Sequence, residues 1–569
     1  MTIKKVSVSV FLVFCLAAPL CAQSGWTEDF LMRFNPASVR STPQAAPPNP
    51  VIAQVFQTGT VPISLQQVIN LMLDNNLDIR SNRYSPRSTA LQTLVFFRAL
   101  QPSLRFTGTV SRDTTRSTSQ INGADSLSSL RHQFGVNFSQ QLPWGTSLAI
   151  DASMNRQSSN SITNTFNPSY TGNIRYTVGQ HLLRDRGRFI NTRQIIVGQN
   201  NERLSEIQFE TQIVNLVVTA QKTYWDLVFA AEDLKVKQRS LELAQQTLGD
   251  NQIRVDIGTL APIEIKQTES EVANRRLQLI QSTGSLVTNE DQIKKMVSSE
   301  TDPSLFLVRL ATQDSPRRPA SIDIPSLEEA VRIAMENRPE LRQAAIELKN
   351  RTIDVDYTKN QTLPILDVTA TFSQNGAGGT RTIRDSSFGG SVTQIIPGTV
   401  WGAFGQLFSY DYRGYSLGFS LTLPLSNKAA KADYDRAVNE RQLTESRLNV
   451  TRQQIALEVR SALTQIEQTR ASIDQARVAR ELAEERVSAE QTKFTLGTST
   501  LWFVLEEQRN VSQAETTELQ SLVTFNKALV DLDKSMGLTL MKNNIQVDKA
   551  LQTPAVASRS LSDFAISGN

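Results

Sequence analysis

The pattern of apolar and polar positions changes period several times along this chain, and the changes come in the same order twice. After Ser64 and Ser326, two residues whose hydroxyls suit a helix N-cap, apolar residues recur at helical spacing. Leu327, Ala330, Val331 and Ala334 show it best. A second helix follows in each case and ends before Pro102 or Pro364. The period then drops to two. Leu104, Phe106, Gly108 and Val110 alternate with Arg105, Thr107 and Thr109, and Leu366, Val368, Ala370 and Phe372 alternate with Asp367, Thr369 and Thr371. Ile174, Tyr176 and Val178 repeat the pattern, as do Leu417, Phe419, Leu421 and Leu423. These segments predict strands of about 9–11 residues with one apolar and one polar face, a length and alternation that suit a membrane barrel. Gln133–Leu142 and Thr146–Met154 flank the turn Pro143-Trp144-Gly145 and predict an additional hairpin in the first half only. The Gly-rich interval from Gln374 to Arg413 has no clear period and is left unassigned.

After the strands the period returns to helical for a long distance. Asn427 to about Phe494 contains neither proline nor glycine, which predicts roughly 100 Å of helix. Ile455, Val459, Leu463, Ile466 and Ile473 form a narrow stripe of the coiled-coil kind. Arg186 to about Asp256 is its counterpart, interrupted only by Gly187, Gly198 and Gly249. Both helices meet a glycine, Gly258 in RVDIGTLAPIEI and Gly497 in KFTLGTSTLWF. Glycine tolerates the left-handed conformation that ends a helix, and Pro262 suits the start of a returning one. Each glycine therefore predicts the tip of a helical hairpin, with second arms from Pro262 to about Val297 and from Leu501 to about Met536.

The repetition extends to identities. LQQVINLMLDNNLDIR at 65–80 aligns with LEEAVRIAMENRPELR at 327–342, IRYTVGQHLL at 174–183 with LGFSLTLPLS at 417–426, and the two glycine segments with each other. Residues 62–297 and 324–540 are thus expected to be two copies of one plan. A Pro-rich segment (23–61) precedes them, a linker (298–323) with Pro303, Pro316 and Pro319 joins them, and a polar tail (541–569), expected to be disordered, follows.

Composition narrows the setting. Residues 1–22 carry Lys4 and Lys5, an apolar run to Leu20 and a small residue after Cys21, the form of a secretory signal peptide. Both cysteines lie within it, which leaves the mature chain without a disulfide, a thiol nucleophile or a Cys-ligated metal. The formal charge of +4 falls to +2 without Lys4 and Lys5, too balanced to suggest nucleic acid. No later run of about 20 apolar residues predicts a membrane helix. Gly414-Tyr415-Ser416-Leu417-Gly418 fits the GxSxG spacing of a nucleophile elbow, but Ser416 stands inside an alternating strand rather than at a strand–helix turn. His132 and His181 are the only histidines, far apart in strand segments, which argues against a zinc site. Neither an enzymatic activity nor a cofactor is expected.

Two copies give about four strands, or six with the extra hairpin; four strands cannot close a barrel with a lumen, and an open sheet cannot sit in lipid with unpaired edges. The chain is expected to oligomerise; three copies would supply about 12–18 strands and twelve coiled helices. A periplasmic or surface coiled-coil structural protein without a channel is the alternative, and it leaves the strands and the duplicated tips without a role.

The duplicated openings SLQQVINLMLDNN and SLEEAVRIAMENR, the strand ends QHLL and LPLS, and the tip pair IGT and LGT resemble the TolC family of outer-membrane efflux and secretion channels. The resemblance spans about residues 62–540. It implies a homotrimer with a β-barrel in outer-membrane lipid and an α-helical barrel through the periplasm. The barrel would end on a periplasmic adaptor (membrane fusion) protein that links it to an inner-membrane pump of the RND, ABC or MFS type, for efflux or type I secretion. Carried over by position, Ile257, Gly258, Thr259, Leu260 and Leu496, Gly497, Thr498, Ser499 match the adaptor-contacting tips. Phe494 holds the place of a gate tyrosine, Ser499 that of a gate arginine, and Glu264 keeps the acid of the first hairpin. Of two acids that ring the family's constriction, Glu506 keeps one and Phe503 replaces the other. A ring of three Glu506 carboxylates would attract cations, and Phe503 would add an apolar constriction.

Overall fold

The structure, a computed structural model, describes residues 59–118, 120–298, 306–316, 324–385 and 390–546. The expected signal peptide, the Pro-rich segment up to residue 58, residues 299–305 and 317–323 of the linker, and the tail beyond residue 546 lie outside the described residues. Internal contacts divide the chain into two units. The smaller, Met1–Val61 with Asp302–Arg309, is described over 59–61 and 306–309, where the Arg309 N–H donates to the Gly59 carbonyl at 2.9 Å. Two short strands, β1 (Thr60–Ile63) and β6 (Arg309–Thr312), have residues in both units. All other elements belong to the larger unit.

Its first elements are helices α1 (Leu65–Asn75), α2 (Leu77–Asn82) and α3 (Tyr84–Phe96), matched later by α6 (Leu327–Asn337) and α7 (Pro339–Gln361). Ser64 caps α1 through a reciprocal pair: the Gln67 N–H donates to Ser64 Oγ at 3.4 Å and the Ser64 N–H to Gln67 Oε1 at 2.9 Å. Ser326 Oγ accepts from the Glu329 N–H at 3.3 Å. A second anchor on α1 comes from the linker. Asp314 Oδ2 accepts from the Leu65 N–H at 3.0 Å and from the Tyr224 hydroxyl at 2.5 Å. Burial and that carboxylate push the Tyr224 phenol well above its ordinary pKa.

Six long antiparallel strands follow in sheet order β2-β3-β4-β5-β7-β9: β2 (Ser103–Arg116), β3 (Ser126–Gln141), β4 (Thr146–Ser159), β5 (Phe166–His181), β7 (Ile365–Arg384) and β9 (Arg413–Thr422). The additional hairpin is β3–β4, inserted between strands of the first half. Register puts the apolar sets on one face: Leu104, Phe138, Ile150, Tyr176, Phe372 and Tyr415 form one row across the sheet. Much of this face is uncovered among the described residues, with Tyr415 88% and Phe419 82% exposed. The strands depart from expectation in length. Five of the six run to 14–20 residues rather than 9–11. The alternation marks only the part with an apolar face; beyond it, stretches such as Ser111–Arg116 are polar on both faces and carry no period. The unassigned Gly-rich interval holds the end of β7, the short β8 (Val392–Ile396) and a nine-residue helix, α8 (Val400–Phe408).

His181 and Ser416 take structural places in this sheet. His181 Nδ1 lies 2.7 Å from Asp367 Oδ1 on the neighbouring strand. Ser416 faces Thr371 inside β9, with no turn into a helix after it.

The four long helices of the unit are α4 (Arg193–Asp256), α5 (Ile263–Val297), α9 (Lys428–Thr495) and α10 (Leu501–Ser535). At 68 residues α9 is about 100 Å long. No single neighbour covers such a length, so each long helix is covered by two shorter ones in turn. Near the sheet, α4 packs on α3 and α7: Gly198 lies so close to α3 that a Cβ there would stand 2.9 Å from the Phe96 ring, and Arg193 pairs with Asp354 at 2.5 Å. Farther down, α5 takes over; α9 is covered likewise by α7 and then α10. The α9 stripe is the core of the second hairpin. Ile455, Val459, Ile466 and Ile473 are buried against Phe525, Ala528 and Leu532, with Leu463 at the margin. Across the seam between the hairpins the contacts are charged and polar: Lys222 with Asp531 at 2.6 Å, Lys527 with Asp226, and Thr516 Oγ1 donating to Asp233 Oδ1 at 3.1 Å.

Ile466 is fully buried in the α9–α10 core. Ile466→Ala is expected to lower stability by about 2–5 kcal/mol through loss of burial and the cavity left behind. Leu457→Ala, on the exposed face of the same helix, is expected to shift it by less than ~0.5 kcal/mol. Denaturant melts of the two detergent-solubilised variants check the contrast.

Candidate functional site

The two helical hairpins end in the same backbone motif. In the first, the Gly258 N–H donates to the Val255 carbonyl at 2.9 Å and the Thr259 N–H to the Arg254 carbonyl at 2.8 Å. In the second, Gly497 donates to Phe494 at 3.1 Å and Thr498 to Lys493 at 2.9 Å. This paired 5→2 and 6→1 arrangement is a Schellman cap, and it needs a left-handed residue at the glycine. Gly258 and Gly497 supply it with φ of 76° and 74°. Each following threonine adds its hydroxyl to the same last-turn carbonyl, Thr259 Oγ1 to Arg254 at 2.9 Å and Thr498 Oγ1 to Lys493 at 3.1 Å. A Cβ on either glycine would meet no atom of the described residues within 4 Å, so among them backbone conformation alone calls for glycine there.

The tips are apolar and open. Ile253, Ile257, Ile263 and Leu496 are each more than half exposed, and Leu260 is half-buried. Trp502 and Phe503, in the first turn of α10, lie edge to face at 5.0 Å and are about half exposed. The polar part of the second tip is built on Glu490. It accepts hydrogen bonds from Ser499 Oγ and, at 2.9 Å, from Lys493 Nζ. Those bonds, Ser499 first and Lys493 second, hold its carboxyl below the usual carboxylate range. The two tips touch each other. The Arg254 guanidinium sits 5.2 Å from the centre of the Phe494 ring, a cation–π contact between hairpins that does not need a hydroxyl.

Glu264 lies in the first turn of α5, where the helix dipole favours a carboxylate. Its Oε2 is buried and has no hydrogen-bond partner among the described residues. Glu506 is two turns into α10 and does not stand alone. Arg509 Nη2 is 3.7 Å from Glu506 Oε2, and Arg509 Nε is 3.7 Å from Glu271 Oε2 on α5. Glu271 is in turn held by the buried Arg275 at 2.7 Å. Two carboxylates and two guanidinium groups thus alternate across the α5–α10 contact, and the net charge there is near zero. Sequence reading singled out Glu506 and passed over Arg509, Glu271, Arg275, Arg254 and Glu490. The i, i+3 spacing of Glu506–Arg509 and the i, i+4 spacing of Glu271–Arg275 were the available signals; that Arg509 reaches Glu271 depends on how two helices pack. Among the described residues no group of His, Asp and Glu is arranged to hold a metal ion.

Comparison with known proteins places this geometry. A sequence profile described as outer membrane efflux protein matches residues 143–299 and 330–538, more than half of the chain. No curated protein sequence gives a match. Among solved structures, the CmeC outer membrane channel of Campylobacter jejuni is similar at TM-score 0.59 and 16% identity, covering 86% of this chain and 89% of that one. The outer membrane protein VceC of Vibrio cholerae is similar at TM-score 0.57 and 12% identity, covering 83% and 96%. The MtrE outer membrane channel of Neisseria gonorrhoeae, described in an open state, is similar at 0.52 and 17%, covering 83% and 89%. At these identities the structural likeness speaks for the fold.

Two outcomes test the tip. Gly497→Ala is expected to cost about 1–2 kcal/mol, because an L side chain is strained at that φ, and to speed amide exchange of residues 493–500 without altering the α9 core. The Glu490 contribution has a sign fixed by its lowered pKa. It is fully present above the usual carboxylate range and is lost as pH falls through the lowered value. Ser499→Ala is expected to move the Glu490 titration upward, and with it the pH at which tip exchange accelerates.

Proposed function

The chain belongs to the outer membrane efflux protein family, and from that premise we propose that it is the exit duct of a tripartite efflux or type I secretion system. An outer membrane efflux channel that extends into the periplasm is the family's function and place. The finer reading is that three copies assemble, that the tips dock on a periplasmic adaptor, and that an inner-membrane pump of the RND, ABC or MFS class supplies the energy. The observation that carries it is the pair of exposed tips, closed by the same backbone cap, at the far end of two hairpins rooted in a sheet with one lipid-suited face. A soluble coiled-coil protein would have no use for the bare aromatic and aliphatic face of that sheet. Ile257, Gly258, Thr259, Leu260, Leu496, Gly497, Thr498 and Ser499 are the adaptor surface in this reading. The bare, glycine-bearing backbone at each tip lets a partner backbone come close.

Glu264, Phe494, Phe503 and Glu506 form the gate region in the same reading. The unpartnered Glu264 oxygen is available to a donor on a neighbouring chain. The Arg254–Phe494 contact stands where polar locks would otherwise hold neighbouring hairpins together. Because Arg509 offsets Glu506, the constriction selects cations weakly, and Phe503 narrows it by bulk.

The deciding experiment is single-channel recording in a planar bilayer with the oligomeric mass measured on the same detergent-purified sample. A conducting trimer supports the duct; a non-conducting monomer or dimer would sink it. Arg509→Ala is expected to raise the cation-to-anion permeability ratio by roughly two-fold or more, and Glu506→Gln to lower it. Phe503→Ala is expected to raise conductance, and an unchanged value would remove Phe503 from the constriction.

A further inference from the structure

The apolar face of the sheet has a charge pattern that channel formation does not require. Register assigns to this face the even-numbered residues of β2, β3 and β4, of β5 beyond its bulge (from Tyr170 on) and of β7 up to Gly378, and the odd-numbered ones of β9. None of them is Asp or Glu, whereas the opposite face carries Asp113, Asp151 and Asp367. Its cations stand at one end. Arg112 comes directly after Val110 on this face of β2, Arg156 directly after Met154 on β4, and Arg413 directly before Tyr415 on β9. On β3, His132 borders Phe134 and lies 3.4 Å from Arg156 Nη1. Each of these four strands thus leaves its apolar band through a basic residue, on the side away from the helical hairpins. Arg112 and Arg413 are exposed and Arg156 half-buried, and none of the three pairs with a carboxylate among the described residues.

On β5 and β7, where this collar would continue, lies α8. Gly172, Gly376 and Gly378 leave room for it: a Cβ on Gly376 would stand 2.1 Å from the Ala403 carbonyl oxygen, and one on Gly172 2.9 Å from Leu407. Those glycines are on the apolar face, so α8 covers the lipid side of the sheet and not the lumen side. Ala403 and Leu407 are buried against the sheet, and Gln406 accepts from the Ala377 N–H at 2.9 Å. The nine residues carry no charge. The side turned away from the sheet is a ladder of Trp401, Phe404 and Phe408, with ring centres 6.0 and 5.3 Å apart and Trp401 58% exposed. Such a stripe is costly in water and favourable at the boundary of a bilayer.

We propose that Arg112, Arg156 and Arg413, with α8 between them, form a binding collar for a phosphorylated glycolipid of the outer leaflet. The guanidinium groups take its phosphates, and the α8 ladder lies among its acyl chains. Arginine suits this task because its planar fork meets phosphate oxygens in pairs and stays charged at any physiological pH. The absence of any carboxylate on this face removes the repulsion that a phosphate would otherwise meet. The proposal rests on the outer-membrane channel reading.

The test compares the wild-type trimer with an Arg112→Gln/Arg156→Gln/Arg413→Gln variant. Native mass spectrometry measures binding of diphosphorylated lipid A and of the same lipid without phosphates. The variant is expected to lose about tenfold or more in affinity for the phosphorylated lipid, to bind the dephosphorylated one as wild type does, and to keep its conductance. Inorganic phosphate is expected not to compete; competition would show a free-anion site and overturn the lipid assignment. In nanodiscs with chain-brominated lipid, Trp401 emission, isolated by difference from Trp401→Phe, is expected to be quenched. Equal lipid binding by variant and wild type, or an unquenched Trp401, refutes the collar. A wild type that neither conducts nor assembles would instead defeat the channel reading itself.

Discussion

A backbone N–H or C=O group that meets hydrocarbon without a partner costs several kcal/mol, and this constraint orders everything else in the molecule. Among the described residues β2 pairs only with β3, and β9 only with β7, so the sheet they form ends in two open edges. Its apolar face suits lipid, and its edges forbid lipid until other copies close them. Three copies of six long strands, as proposed, would make a ring about 36 Å across at a strand spacing of ~4.8 Å and a tilt of ~40°. The β3–β4 hairpin sets that size, because without it each chain would bring four long strands to the ring.

The helices answer a second constraint, that a long helix in water needs a partner along its whole length. The chain meets it by handing each long helix from α3 or α7 near the sheet to α5 or α10 farther away. Glycine has two different parts in this arrangement. Gly198 has none of the conformational need of the tips; it is small because α3 crosses α4 there. Gly258 and Gly497 have open space around them and are glycine because of φ. The same residue type thus marks close packing at one level and chain reversal at another.

Electrostatics near the tips shows how packing changes the meaning of a residue. Glu506 in isolation reads as an acid facing a pore. With Arg509 one turn on, and Glu271 and Arg275 on the adjacent helix, it becomes one member of an alternating network that carries little net charge. Phe494 in isolation reads as a lost hydroxyl. With Arg254 above its ring it becomes a contact between hairpins. The links from Arg509 to Glu271 and from Arg254 to Phe494 join different hairpins, whose sequence separation hides their proximity.

Much of the architecture was legible in the sequence because it rests on local rules. A period of two marked the apolar part of each long strand, a period near 3.6 marked the long helices, and a lone glycine followed by threonine marked each tip. Local rules fell silent where neither period nor composition distinguishes the outcome. The strands run on past their apolar bands because hydrogen bonds to neighbouring strands, not side-chain alternation, extend them. The short α8 was hidden in a Gly-rich stretch because its register is set by glycines on β5 and β7 that only the folded sheet brings beneath it. The linker read as a breaker-rich spacer, yet Asp314 in it caps α1 across 249 residues of sequence. What the sequence determined alone was everything governed by neighbours a few residues away. Which side of the sheet α8 covers, that Arg509 reaches Glu271 on α5, and how the long helices share their partners were decided by the tertiary structure. Those outcomes depend on free energies of contact between segments whose distance along the chain says nothing about their distance in space.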